Sequence, residues 1–243
     1  MEMTDFLNKI LDFFLPPRCK ICGKVISDNN GLCPECFQQI SFISTPYCAK
    51  CGRPFFEAPH NHNLLCGCCA QEKKSLFRMN RAAVCYDDAS KNLLLGLKFF
   101  DKTDNVPLLA KWLKLGGQDI FNAGVDLIIP TPLHYLRLVK RHYNQSALLA
   151  HELSKLTGIE VNYSALIRSR YTKPQVSFSG KARIKNVKNA FYVKHPQDVC
   201  GKRILLIDDV MTTGSTLKEC ALVLKKAGAK SVDSLTVART FKD

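Results

Sequence analysis

Apolar side chains at Phe6, Leu7, Ile10, Leu11 and Phe14 recur at the three- and four-residue spacing that lays one stripe along a helix, and Pro16 and Pro17 end it. Such a stripe needs a surface to cover: the rest of the chain is the simplest, a membrane interface or a partner the alternatives. The periodicity then lapses over residues 19–74, a stretch rich in Cys, Gly, Pro and Asn. Beyond it, short β-branched or apolar runs alternate with helical spacing, the pattern of βα units around a mostly parallel sheet. Strands are expected at 82–86, 126–129, 204–207 and 231–238, and helices at 93–99, 107–115, 145–156 and 217–227. The changes in texture predict three parts: an amphipathic helix over 1–17, a cysteine-rich module over 18–76 and an α/β domain over 77–243.

The cysteine-rich module carries CxxC four times, as Cys19 and Cys22, Cys33 and Cys36, Cys48 and Cys51, and Cys66 and Cys69. Two residues between thiolates let a tight turn offer both sulfurs to one ion, and two such turns complete a closed four-sulfur site suited to zinc. Eight cysteines therefore predict two structural Zn²⁺ ions, which fold a segment too small to bury a core of its own. Loop lengths favour sequential pairing, Cys19, Cys22, Cys33 and Cys36 and then Cys48, Cys51, Cys66 and Cys69, with a cross-braced arrangement as the alternative. Cys68, His60 and His62 lie close enough in sequence to substitute as ligands and are read as spectators. Gly23, Gly52 and Gly67 sit at or beside the turns, where close approach or φ > 0 is often needed. Cys85, Cys200 and Cys220 stand singly and read as small buried hydrophobes.

Twelve cysteines would indicate disulfides in a secreted protein, but the N-terminus carries Glu2, Asp5 and Asp12 instead of a basic start and cleavage site. The expected location is cytoplasmic, and no apolar run reaches the 18 or so residues of a membrane span. The 243 residues hold 35 Lys and Arg against 21 Asp and Glu, a net charge of +14 that favours an anionic partner. The excess concentrates at 137–194, where 12 basic residues face 2 acidic ones. Within it Arg137, Lys140, Arg141, Arg168, Arg170, Lys173, Lys181, Arg183 and Lys185 lie among His142, Tyr143 and Tyr171, a mixture suited to backbone contacts and base stacking on a nucleic acid.

The sharpest chemical signal follows the apolar run 204–207. Asp208 and Asp209 come at the expected strand end, where ligands of open α/β sheets collect, and a hydroxyl-rich turn follows. Thr212, Thr213, Gly214, Ser215 and Thr216 supply successive backbone N–H groups, hydroxyls and a helix start, which together favour a phosphate. Thr216 and Glu219 fit a capping box. Two acids beside a phosphate cradle suit a sugar with free hydroxyls, accompanied by Mg²⁺.

This string closely resembles the phosphoribosyl pyrophosphate (PRPP) motif of type I phosphoribosyltransferases. That resemblance implies that the acidic pair holds the ribose hydroxyls and the turn holds the 5′-phosphate. With the paired CxxC module, the whole chain resembles the ComF family of competence proteins, a zinc ribbon joined to a phosphoribosyltransferase-like domain. Residues 129–133 followed by Arg137, Arg141, Asn144 and Gln145 look like the family's proline-flanked loop and its Arg, Asn, Gln signature, although His142 and Tyr143 stand where glycine and phenylalanine are common. Arg141 is accordingly included among PRPP contacts. Residues 172–175, Arg183, Asn186 and Phe191 resemble the segment over the active site. The resemblance implies a role in natural transformation, handling single-stranded DNA at the cytoplasmic side of the inner membrane. Its implied partners are a competence helicase, an inner-membrane DNA channel or a strand-receiving protein. An active phosphoribosyltransferase with an unidentified acceptor, and a zinc-ribbon adaptor recruiting a translocation partner, are the competing readings.

Overall fold

The computed structural model describes residues 16–27, 31–55, 64–72, 75–99, 102–171 and 186–241. Residues 1–15 of the expected helix over 1–17, His60 and His62, and Lys173, Lys181, Arg183 and Lys185 lie outside them.

Four parallel strands form the central sheet: β1 (Asn80–Cys85), β2 (Leu127–Pro130), β5 (Arg203–Met211) and β6 (Ser231–Arg239), in the order β1-β6-β5-β2. β5 and β6 occupy its middle. That position explains the unbroken apolar run Ile204, Leu205, Leu206 and Ile207, each wholly buried, because a central parallel strand is covered on both faces. Alternation along β5 divides the core. Leu205 and Ile207 pack with α3 (Asp88–Phe99), α4 (Val106–Gly116) and α7 (Gln145–Thr157), whereas Ile204 and Leu206 pack with α8 (Ser215–Lys226). A smaller antiparallel pair, β3 (Leu166–Arg168) and β4 (Phe191–Val193), joins the α8 side. Short helices α5 (Gln118–Asn122) and α6 (Tyr135–Arg141) complete this part.

All four expected strands and all four expected helices are present, with shifted ends. The largest difference is β5, which runs on through Asp208 and Asp209 to Met211. Pairing with β6 continues to the register Met211 opposite Arg239, so the ladder carries the acids instead of stopping before them. The capping box is also corrected. Gly214 is the N-cap of α8, without a side-chain cap, and the Glu219 carboxylate instead accepts from the Asn189 N–H at 3.1 Å. Cys220 is buried as expected, but Cys200 is exposed.

The cysteine module folds as two similar halves. In each, the first CxxC turn closes through a glycine amide, Gly23 to Cys19 O or Gly52 to Cys48 O, at 2.9 and 2.8 Å. Both glycines have φ near +70°, a region open to glycine at little cost. Gly67, by contrast, is helical. The second CxxC of each half starts a short helix, α1 (Pro34–Gln38) after Cys33 and α2 (Gly67–Gln71) after Cys66. Residues 41–43, between the halves, lie antiparallel to β1: Cys85 N–H donates to Ser41 O and Ile43 N–H to Ala83 O. This contact closes the open edge of the sheet. Phe42 then meets Trp112 of α4 edge-on, with ring centroids 5.2 Å apart. No helix among the described residues is long and apolar enough to cross a membrane.

Candidate functional site

Cys19, Cys22, Cys33 and Cys36 form one cluster and Cys48, Cys51, Cys66 and Cys69 another, with the sulfurs of each within 4.8 Å of one another. Pairing is therefore sequential, not cross-braced, and Cys68 is exposed outside both clusters. A zinc–sulfur length of about 2.3 Å gives tetrahedral sulfur–sulfur edges of about 3.8 Å. The Cys22 and Cys33 sulfurs are 3.6 Å apart, and those of Cys51 and Cys66 3.7 Å. Backbone amides of Cys51 and Cys66 point at the Cys48 sulfur, at 3.5 and 3.4 Å. Burial opposes ionisation of Cys48, but these amides outweigh it and bring the thiol down to about 6. Cys19 is lowered to about 6 in the same way. The two clusters fit two zinc ions, and four thiolates leave no open position for catalysis by the metal.

The second centre of interest lies around the end of β5. Consecutive strand residues point to opposite faces, so Asp208 and Asp209 meet different neighbours. Asp208 turns toward β2 and α7. Its Oδ1 accepts from Thr131 Oγ1 at 2.8 Å, Ser146 Oγ at 2.9 Å and the Asp209 N–H at 3.0 Å. Asn144 fixes this arrangement, capping Ser146 N–H with its side-chain oxygen while its amide donates to Thr131 O. Burial, and then the charge of Asp209, push the Asp208 carboxyl up to about 6 despite those donors. Gln145, 2% exposed, has an amide nitrogen without a hydrogen-bond partner among the described residues.

Asp209 faces α3, where Lys98 Nζ lies 2.7 Å from its Oδ2. Burial pulls the Lys98 ammonium downward, but Asp209 and then Asp208 more than compensate and hold it above its ordinary value. Sequence reasoning missed Lys98, Thr131 and Ser146, since nothing local marks a helical lysine or two common hydroxyls as neighbours of an acid 62 to 111 residues away.

Beyond the acids the chain bends at Thr212 and Thr213 and enters α8 through Gly214, whose φ of +69° turns it toward the helix. Thr213 Oγ1 and Ser215 Oγ are 2.7 Å apart, and the Lys218 N–H returns to Gly214 O at 2.9 Å. Thr212, Thr213, Gly214, Ser215 and Thr216 thus form one turn at the N-terminus of a 12-residue helix, a geometry with the partial positive charge that favours anions.

The cationic stretch distributes unevenly. Lys140 is exposed on α6, and the half-buried Arg137 lies with its guanidinium 5.9 Å from the Tyr171 ring. Arg141 ends α6 close enough to oppose the Lys98 charge. Arg168, 7% exposed, packs over Phe191, where burial above all lowers it to about 10. Arg170 is exposed and donates to the carbonyls of Asn186 and Lys188 at 3.0 and 2.6 Å. Tyr135 and Tyr171 are exposed beside these cations. His142 has φ +62°, which accounts physically for the glycine common at this position, and the Tyr143 hydroxyl donates to Leu97 O at 2.7 Å.

The chain matches the double zinc ribbon domain over residues 10–70 and the phosphoribosyl transferase domain over residues 144–242. It is 33% identical over 229 residues to Competence protein F of Haemophilus influenzae, covering 91% of this chain and 96% of that protein. It is 32% identical over 235 residues to DNA utilization protein YhgH of Escherichia coli K12, covering 93% and 99%. Among solved structures it is similar to glutamine phosphoribosylpyrophosphate amidotransferase from B. subtilis complexed with ADP and GMP, at 20% identity and a TM-score of 0.41, over 65% of this chain and 32% of that one.

Proposed function

Because the chain belongs to the ComF family of competence proteins, with Competence protein F and YhgH among its relatives, we propose that it binds PRPP with Mg²⁺ and handles incoming single-stranded DNA during natural transformation. The observation that carries the ligand is the succession along one strand and its turn: Asp208, Asp209, the Gly214 bend and the start of α8. The turn receives the 5′-phosphate on backbone N–H groups and hydroxyls, and the acids receive the ribose hydroxyls, with Mg²⁺ neutralising the diphosphate. Arg141, beside Lys98, adds positive charge on the acidic-pair side of the site.

Exposed Tyr135 and Tyr171 beside Arg137 and Lys140 support a DNA role, since aromatic faces stack on bases while cations follow the backbone. Arg170 sits at the same surface, with Lys173, Lys181, Arg183 and Lys185 between it and Asn186 in sequence; the burial of Arg168 favours the small-ligand side. In this reading residues 18–76 form the zinc module and 77–243 the ligand-binding domain. The protein works in the cytoplasm, peripheral to the inner membrane, beside a helicase, DNA channel or strand-receiving protein. The phosphoribosyl transferase match supports a second reading, transfer to an acceptor with pyrophosphate departing.

PRPP with Mg²⁺ should raise the melting temperature of the wild type and leave Asp208→Ala/Asp209→Ala unmoved, a stabilisation of about 2.7 kcal/mol at 100 times the Kd. Absence of a shift in the wild type rejects the ligand. Single-stranded DNA binding should weaken with salt and with removal of Lys140 and Arg170, whereas salt-insensitive binding rejects the DNA role. PRPP consumption with an acceptor present would support transfer.

A further inference from the structure

Lys98 occupies one half of the acidic pair. Its ammonium lies 2.7 Å from Asp209 Oδ2, while Asp209 Oδ1 accepts from the Val210 N–H at 2.7 Å, so both oxygens of this largely buried carboxylate are engaged. Asp208 takes its side-chain donors from two neutral hydroxyls, those of Thr131 and Ser146. The two acids are therefore unequal: Asp208 is held by neutral groups and Asp209 by a cation.

The position of that cation is built into the fold. Lys98 lies in the last turn of α3, and the carbonyl of the preceding residue, Leu97, accepts the Tyr143 hydroxyl at 2.7 Å. Tyr143 belongs to the short connection between Arg141 and α7, so α3 is tied to the segment that places Arg141 near Lys98. A ligand that takes Asp209 with neutral hydroxyls, or a bare divalent ion that takes it directly, removes the carboxylate in contact with the Lys98 ammonium and leaves only the charge of Asp208 to offset that of Arg141. That arrangement is costly in a partly dry site. A ligand bearing a second anionic group beside its hydroxyls offers Lys98 a replacement.

We propose that Lys98 is a specificity-determining residue: it holds Asp209 closed against free divalent cations and sugar monophosphates, and releases it to a sugar phosphate whose second anionic group takes over the ammonium. The choice of sugar rests on the ribose phosphate reading above; the closure of Asp209 does not.

The zinc-loaded full chain tests both parts. Mn²⁺ alone, followed by electron paramagnetic resonance, should bind Lys98→Met at least tenfold more tightly than wild type, and the gain should vanish in Lys98→Met/Asp209→Asn. Calorimetry in Mg²⁺ should find the wild-type preference for PRPP over ribose 5-phosphate reduced at least tenfold in Lys98→Met, with ribose 5-phosphate bound as well as before or better. Lys98→Arg should restore the preference. A folded Lys98→Met that gains no Mn²⁺ affinity, or that loses both sugar phosphates in equal proportion, overturns the proposal. Should Lys98→Met fail to fold, Lys98→Gln carries the same expectations and the same refutations. If wild type binds neither sugar phosphate, the ribose phosphate reading fails and the Mn²⁺ comparison alone decides the role of Lys98.

Discussion

Arg239 donates a hydrogen bond from Nη1 to the backbone carbonyl of Cys51, so the central strand β6 grips a cysteine of the second metal cluster. Nearby, Arg81 Nη2 donates to Ala49 O at 2.7 Å and the Asn80 N–H to Lys50 O at 2.8 Å. Arg239 is also the register partner of Met211, whose methyl carbon would lie 2.7 Å from a Cβ on Gly214. A continuous path of contact thus joins the second cluster to the turn that begins α8.

From this contact it follows that zinc retention and sheet stability are linked. Unfolding should release two zinc equivalents per chain. Arg239→Ala should cost about 1–3 kcal/mol in denaturant unfolding, because it leaves the Cys51 carbonyl without its donor, and should speed chelation of one equivalent while the other leaves at the wild-type rate. Equal rates for both equivalents in the variant and the wild type would show that the grip contributes nothing.

Asp208 carries a pH signature. Its carboxyl rises to about 6 from an ordinary 3.8, burial being the main cause, so the native state holds this proton more tightly than the unfolded chain. The associated stability is complete below about pH 4 and is lost as the pH climbs through about 6. Asp208→Asn keeps an acceptor for Thr131 and Ser146 and should melt above wild type at pH 7.5, with the gap shrinking steadily toward pH 4. A gap independent of pH would mean that Asp208 does not titrate in this window.

Gly214 should tolerate no side chain without loss. Alanine there meets Met211 Cε, the movable end of a flexible side chain, so the larger cost is the left-handed backbone, about 1–2 kcal/mol. Gly214→Ala should lower the melting temperature and weaken ribose 5-phosphate binding severalfold in calorimetry. Unchanged binding would place the phosphate elsewhere.

His142 and Tyr143 make opposite contributions. His142→Gly relieves a side chain at φ +62° and should stabilise the fold by about 1 kcal/mol, whereas Tyr143→Phe removes the hydroxyl on Leu97 O and should cost about 0.5–1.5 kcal/mol. Thermal melts of the two single variants moving in the same direction would refute this division.

What could be read from the chain alone is whatever is encoded within a few consecutive residues. Cys19 to Cys22 and its three repeats set sulfurs on turns because two intervening residues leave little other geometry, and the run from Ile204 to Ile207 identifies a doubly covered strand by lacking any polar side. The turn at Thr212–Thr216 was legible for the same reason. The extension of β5 to Met211 was not, since its last pairs are supplied by β6 and Arg239 rather than by residues 208–211. Lys98 on Asp209, Thr131 and Ser146 on Asp208, and Arg239 on Cys51 join positions separated by 62 to 188 residues. Such pairings are decided by strand order and by which helix covers which face, because charge and hydrogen-bonding groups find partners by proximity in space and leave no periodic trace along the chain.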